Sequence, residues 1–166
     1  MIKNSKNQSL TLSQQKSQVM SFLKKNCTGT LAMTDSSNNP VTWVIYYVVD
    51  NALNILFTIK ADNRTTPNLE TGKPVQLAVY DISPAITVKV TGKPVKVTDL
   101  HESQLAFTTT LKSYMKEKSD HSTLEPGHYD VFKIKPAKID VSLPFLTKDA
   151  KEIESEPIRS YVLKMA

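Results

Sequence analysis

The sequence has few of the residues on which metal-centred and thiol chemistry depend. Its 166 residues include one cysteine, three histidines and four glycines. The single cysteine, Cys27, cannot form an internal disulfide and is typical of a reducing compartment. The three histidines are too far apart in sequence to form a recognisable metal-ligand pair, and the scattered glycines exclude a glycine-rich phosphate loop. We therefore expect no metal site.

Long apolar segments are also missing. No apolar run reaches the length of about 20 residues that crosses a bilayer, and residues 1–9 lack the apolar centre of a secretion signal. We expect a cytoplasmic protein with no membrane partner. The net charge of +5 could favour a phosphate-bearing ligand or a nucleic acid. The lysines, however, occur in ones and twos along the chain, and the only arginines are Arg64 and Arg159, so we expect no nucleic-acid partner.

The sequence is instead rich in short strand patterns separated by turn residues. Residues 41–49 are dense in β-branched and aromatic side chains, which favour strands. The sequence lacks the regular alternation of strands and helices that is typical of a parallel sheet. The sequence predicts a mainly β domain, a barrel or a sandwich, over residues 1–166, with its core at about 15–145 and a charged C-terminal tail at 146–166. The predicted strands are 30–34, 41–49, 52–59, 75–81, 86–91, 95–98, 129–134 and 138–143.

Two or three helices interrupt these strands. Apolar residues at helical spacing predict a helix over 13–26, capped by Thr11 or Ser13, and a second over 100–117, capped by Asp99. A short helix within residues 60–72 has Asp62 or Asn63 as its candidate cap and Gly72 at its end. Two segments containing proline interrupt strands: Gly92-Lys93-Pro94 predicts a bulge or bend, and Lys135-Pro136-Ala137 predicts a separation of the last two strands.

The segment 57–69 has the best features for binding a ligand. A strand ends there at Thr58, and Arg64 lies in the predicted first turn of the short helix. Backbone amides at a helix start, the helix dipole and a guanidinium all favour an anion. An ordinary capped helix with a solvated arginine explains the same residues equally well. The residues alone leave both interpretations open.

The order of the segments resembles the pyridoxamine phosphate oxidase-like, FMN-binding split barrels over roughly residues 15–145. The resemblance begins with the leading helix and the strand Gly29-Thr30-Leu31-Ala32-Met33-Thr34, followed by a turn with Asn39-Pro40. It continues through Asn68-Leu69, the Val88–Val95 strand with its glycine bend, and the closing segment 131–139. This resemblance implies a split β-barrel with about seven or eight antiparallel strands plus two or three helices. It also implies FMN as cofactor.

The resemblance further implies a phosphate site and a flavin-ring site. Thr58 and Arg64 match the family's phosphate-binding residues, whereas Asn63 stands where a serine would be, and Thr65 replaces a lysine that Lys60 could compensate for. The strand over the flavin ring matches residues 42–46. The implied cofactor-binding residues are Thr42, Trp43, Val44, Tyr46, Thr58, Ile59, Lys60, Asn63, Arg64, Thr65 and Thr87.

Other positions depart from the family pattern. Trp43 and Val48 fall near positions where the true oxidases have an arginine and a lysine, and Thr87 falls where the partner subunit supplies a glutamine. The resemblance therefore implies a homodimeric FMN-dependent oxidoreductase with a nicotinamide donor and an unknown substrate, and it does not imply vitamin B6 synthesis. The alternative is a non-catalytic protein that binds another ligand on the same scaffold. That ligand would be a deazaflavin, or haem with His121 or His128 as axial ligand.

Overall fold

The structure, a computed structural model, describes residues 10–61, 63, 66–82, 85–117, 129–142 and 160–165. These residues form three helices and seven strands. The helices are α1 (Leu12–Lys25), α2 (Thr66–Glu70) and α3 (Leu100–Glu117). The strands are β1 (Thr28–Thr34), β2 (Pro40–Val49), β3 (Ile55–Lys60), β4 (Val75–Asp81), β5 (Ile86–Lys96), β6 (Tyr129–Ser142) and β7 (Tyr161–Lys164).

Six of the strands close into an antiparallel barrel. Their order is β3-β2-β1-β4-β5-β6, and the ring closes because β6 also pairs with β3. The seventh strand, β7, lies outside the ring and pairs with residues 138–141 of β6. The prediction of a mainly β split barrel with seven or eight strands and two or three helices is therefore confirmed.

Alternate residues of the barrel strands fill the interior. The rings of Phe57 and Phe132 stack there, with centroids 5.9 Å apart, and both side chains are fully buried. Helix α1 covers one end of this core with Val19 and Leu23. The hydroxyl of buried Tyr47 donates to main-chain oxygens at the end of this helix, so the helix and the barrel are also joined by a polar contact.

Several local predictions are confirmed by hydrogen bonds. Thr11 caps α1 in a capping box with Gln14, and the Asp99 carboxylate accepts the Glu102 N–H at 2.7 Å at the start of α3. The predicted bulge lies between Thr91 and Gly92 of β5. A Cβ atom at Gly92 would lie 2.1 Å from the Lys135 carbonyl oxygen, so this close approach of two strands requires glycine.

One prediction about the last strands is wrong, and one strand was not predicted. Residues 135–137 do not separate two strands, because β6 runs without a break from Tyr129 to Ser142. Pro136 is tolerated because it lies opposite Gly92, at the point where β6 changes one of its partners from β3 to β7. The charged tail also contains a strand: residues 161–164 form β7, and Leu163 is buried in the core.

Helix α3 covers part of the barrel's outer surface. Ala106 packs with Leu56 of β3 and Val131 of β6 in a second, smaller apolar cluster. Beside this cluster, the rings of Phe107 and Tyr129 lie 5.5 Å apart. Helix α3 therefore covers the outer face of β3 at Leu56, and the exposure of this face increases towards Lys60 at the end of the strand.

Candidate functional site

The barrel opens between β2 and β3. Their ladder has three residue pairs and ends at Tyr47 opposite Phe57, and no later pair joins the two strands in the described part of the chain. Beyond this point β2 continues along β1 only, while β3 continues along β6 as far as Lys60. The two strands therefore diverge where the predicted ligand-binding residues of both begin.

On β3, the candidate residues alternate between the two faces of the strand. The side chains of Thr58, half-exposed, and Lys60, exposed, share the outer face with Leu56. Ile59 points the other way and is 5% exposed within the core. The Ile59 side chain therefore fills the core, whereas Thr58 and Lys60 offer a hydroxyl and an ammonium group to a ligand.

A hydrogen-bonded turn follows β3. The Asn63 N–H donates to the Lys60 carbonyl at 3.0 Å, and the Thr66 N–H donates to the Asn63 carbonyl at 3.0 Å. These bonds bring half-buried Asn63 close to the end of β3 and lead directly into α2. The predicted short helix is confirmed but is confined to Thr66–Glu70. Arg64 and Thr65 lie outside the described residues, as does the alternative cap Asp62.

On the other side of the opening, β2 carries mostly exposed candidate residues. Thr42 and Val44 are exposed on the outer face, and Tyr46, on the same face, is half-buried. Trp43 follows the inward alternation of the core residues of β2, yet it is 39% exposed. Trp43 is exposed because the β2–β3 ladder ends at Tyr47, so no β3 residue pairs with Trp43.

Thr87 is distant from the other candidate residues within one chain. It pairs with Tyr80 of β4 and Ser142 of β6, and β1 and β4 separate its strand from β2. In the closed ring of six strands, β5 is three strands from β2 in either direction, so the two strands lie on opposite sides of the barrel. Thr58 pairs with Val131, near the opposite end of β6. A single chain therefore does not bring Thr87 to the opening.

An ion-pair network that the sequence did not reveal connects α2 to the barrel. The Lys96 ammonium lies 2.9 Å from the Asp130 carboxylate and 3.6 Å from that of Glu70 on α2. The hydrogen bond with Asp130 raises the pKa of Lys96. Asp130 is paired with Ile59, so the network lies beside the end of β3. No local pattern could have predicted it, because its members lie on three separate elements.

The two described cavities are elsewhere in the molecule. One, of about 270 Å³, lies between α1 and strands β5, β6 and β7, and the other, of about 240 Å³, lies between α1 and the β2–β3 turn. Neither is lined by a predicted cofactor-binding residue. Among the described residues, no three metal-ligating side chains cluster, and no helix has the length and apolarity needed to cross a membrane.

The comparison with protein families supports the same interpretation of the chain. A family model described as pyridoxamine 5'-phosphate oxidase matches residues 16–142. The chain belongs to the pyridoxamine 5'-phosphate oxidase family. The matched residues include all six barrel strands but not β7. The expected family membership is confirmed, while no curated protein matches the sequence significantly.

Solved structures share the fold at low sequence identity. General stress protein 26 from Bacillus anthracis is 15% identical, with a TM-score of 0.62, and the match covers 76% of this chain and 92% of that one. A pyridoxamine 5'-phosphate oxidase-related, FMN-binding protein from Nostoc punctiforme is 12% identical, with a TM-score of 0.56 and coverages of 81% and 86%. A haem-binding protein from Mycobacterium smegmatis is 12% identical, with a TM-score of 0.63 and coverages of 90% and 57%.

Proposed function

We propose that the protein binds FMN in the opening between β2 and β3 and functions as an FMN-dependent oxidoreductase. The observation that carries the proposal is the divergence of the two strands at Tyr47 and Phe57, beside which three hydrogen-bond donors gather at the end of β3. Membership of the pyridoxamine 5'-phosphate oxidase family and the fold shared with an FMN-binding protein from Nostoc punctiforme support it.

The end of β3 fits a phosphate group. The Thr58 hydroxyl, the Lys60 ammonium and the Asn63 amide can all donate to phosphate oxygens. Arg64 follows Asn63 directly in sequence and adds a guanidinium. We propose that Lys60 supplies the positive charge that Thr65 lacks.

The strand β2 would hold the isoalloxazine ring. Trp43 and Tyr46 are large side chains on the strand that borders the opening, and Thr42 and Val44 are exposed beside them. Bound FMN would supply hydride and electron transfer, with a reduced nicotinamide as the proposed donor. The residues of this chain would bind the phosphate and orient the ring, and we assign no catalytic residue.

We further propose that two copies of the chain complete the site. The outer face of β2, β1 and β4 is uncharged, and it exposes Val44 at 63% and Tyr80 at 53%. Such a patch is suited to contact with a second copy. A two-fold pairing also offers a route by which Thr87 of one chain reaches the site of the other. Replacement of both Val44 and Tyr80 by glutamate should convert a dimer to a monomer in analytical ultracentrifugation, and a wild-type monomer would contradict this proposal.

The test of FMN binding is an absorbance and fluorescence titration of the purified protein with FMN. Wild type should bind, and Arg64→Ala should bind about 10- to 100-fold more weakly, because a charged contact contributes about 1–3 kcal/mol. Lys24→Ala, which removes an exposed charge from α1, is the matched control and should bind as wild type does. Absence of binding with excess FMN would overturn the proposal.

The same spectra test the competing ligands. The haem-binding protein from Mycobacterium smegmatis shares this fold, which makes haem the second candidate. The proposed axial ligands, His121 and His128, lie outside the described residues. Binding of haem or a deazaflavin in preference to FMN would assign the protein to the alternative function.

We also propose that the protein works in the cytoplasm, which its single cysteine supports.

A further inference from the structure

Five exposed lysines lie on the outer face of β5, β6 and β7, which we call the lysine face. They alternate with the inward-facing core residues of these strands, so their side chains point away from the barrel. One acidic residue, Asp140, shares this face. The lysines are Lys89, Lys93, Lys135, Lys138 and Lys164.

The sheet register places lysines directly opposite one another. Lys93 pairs with Lys135, and Lys138 pairs with Lys164. Like charges at directly opposite positions destabilise a sheet. Among the described residues, only Lys138 has an acidic partner, the Asp140 carboxylate at 2.9 Å. In the described part of the chain, no acidic side chain forms an ion pair with the other four.

The face concentrates most of the excess charge of the chain. The whole sequence has a net charge of +5, and the lysine face has five positive charges against one negative charge. Lys96 and Lys133, the next lysines along β5 and β6, add little to this excess because each forms an ion pair with an acidic residue. Five sequence-separated lysines therefore become neighbours through strand pairing, which the distribution of lysine along the chain does not reveal.

We propose that the lysine face binds the phosphate backbone of double-stranded nucleic acid. A duplex has one negative charge per about 1.7 Å of its length, so several phosphates lie within reach of paired lysines on adjacent strands. Lysine is a point charge without the planar fork of arginine, and contacts to phosphates carry no sequence information. The binding is therefore independent of sequence and depends strongly on salt.

The residues between the lysines favour a duplex over other polyanions. The outward positions of β5, of β6 from Lys135 onward and of β7 include no aromatic side chain. Single-stranded nucleic acids bind mainly to faces that offer aromatic rings for stacking. A membrane-binding face adds large apolar side chains that enter the lipid, whereas the apolar side chains exposed at 50% here are two valines, Val95 and Val162.

The test is the fluorescence anisotropy of a labelled duplex DNA of about two helical turns, titrated with the full chain at several salt concentrations. With four to five phosphate contacts, log K should fall against log salt with a slope of about −4. The double variant Lys93→Gln with Lys135→Gln should reduce this slope by about 2 and weaken binding at low salt at least tenfold. Its resistance to urea should be unchanged or higher, because it removes a like-charge pair.

The control is Lys16→Gln with Lys24→Gln, which removes the same charge from exposed positions of α1. This control should bind within about twofold of wild type, because exposed charges far from the duplex are largely screened. An equal loss of affinity in both double variants would overturn the proposal, because net charge alone would then explain binding. Preference for phosphatidylserine vesicles over the duplex would also overturn it.

Discussion

Two seams of the same barrel are built differently. Strands β5 and β6 share ten residue pairs with a single bulge, whereas β2 and β3 share three pairs and then diverge. Val88 and Val90, on the long seam, are 1% and 0% exposed. Trp43, which follows the inward alternation of β2 beyond the short seam, is 39% exposed. The barrel is therefore held together on one side and leaves main-chain and side-chain groups accessible on the other.

The difference leads to a separation of roles. Substitutions of buried residues should change the free energy of unfolding, whereas substitutions of exposed residues beside the open seam should change ligand binding with little effect on unfolding. Four variants, one of them with a matched control, test this separation in order of decreasing effect on stability.

Phe132→Ala should have the largest effect. Phe132 is fully buried on β6 and stacks on Phe57 from the opposite strand β3. Removing a buried phenyl ring leaves a cavity, which costs about 3–5 kcal/mol. Urea unfolding followed by circular dichroism should show a lower midpoint. A loss of less than about 1 kcal/mol would mean that the ring adds little to the barrel core.

Gly92→Ala should destabilise the long seam through its main chain. The new Cβ would lie 2.1 Å from the Lys135 carbonyl oxygen and 2.9 Å from Ile134, so the two strands must move apart. We expect a loss of about 3 kcal/mol, at the upper end of overpacking effects.

The matched control for Gly92 is Gly72→Ala. Gly72 has a φ of +70° and no neighbouring atom within 4 Å of where a Cβ would lie, so an alanine there has backbone strain but no clash. Its cost should be about 1 kcal/mol. Equal losses of stability in both variants would show that the close approach at Gly92 is relieved at little cost.

Tyr47→Phe tests the last pair of the short seam. The Tyr47 hydroxyl is buried and bonds to main-chain oxygens of Leu23 and Asn26, which the variant leaves with one donor fewer. We expect a loss of about 1–3 kcal/mol in urea unfolding at neutral pH. A loss near zero would mean that water replaces the hydroxyl.

The same variant should change the pH dependence of stability. Burial raises the pKa of Tyr47 above its ordinary value of 10.0, so only the unfolded chain ionises this group as the pH passes that value. The contribution of Tyr47 is present below about pH 10 and is lost as the pH rises further. The difference in free energy of unfolding between wild type and Tyr47→Phe should therefore stay constant up to about pH 10 and be smaller at about pH 11.

Lys60→Gln should have the smallest effect on unfolding. Lys60 is exposed at the end of β3, and such substitutions usually change stability by less than about 0.5 kcal/mol. Its affinity for FMN should nevertheless fall about tenfold, which corresponds to about 1.4 kcal/mol. Unchanged affinity measured by FMN fluorescence would exclude Lys60 as the replacement for the family lysine.

The sequence predicted best the features that depend on neighbouring residues. Helix α3 has the predicted limits because Asp99 caps it locally, and the bulge at Gly92 follows from the conformational freedom of glycine. Pro136 was misinterpreted because a proline in a strand is tolerated when the partner strand is irregular, and only the register reveals that partner. β7 was missed because four residues in a charged segment give too short a pattern.

The candidate site was predictable in part for the same reason. Thr58, Lys60 and Asn63 lie within one short segment, and the fold brings them together as expected. The position of Thr87 three strands away and the contact of Lys96 with Asp130 depend on pairing between distant strands. Periodicity within a segment has no information on such pairing.

The contact between the first helix and the last strand has a consequence for how the chain folds. The Tyr161 hydroxyl of β7 bonds to the Gln15 carbonyl of α1, and the two residues are 146 positions apart in sequence. Leu163 and Val19 belong to the same buried cluster. Contacts between such distant segments form slowly, because a long loop must close before they stabilise the structure. We therefore expect refolding in milliseconds to seconds, limited by the search for long-range pairs, with docking of α1 and β7 as its late step.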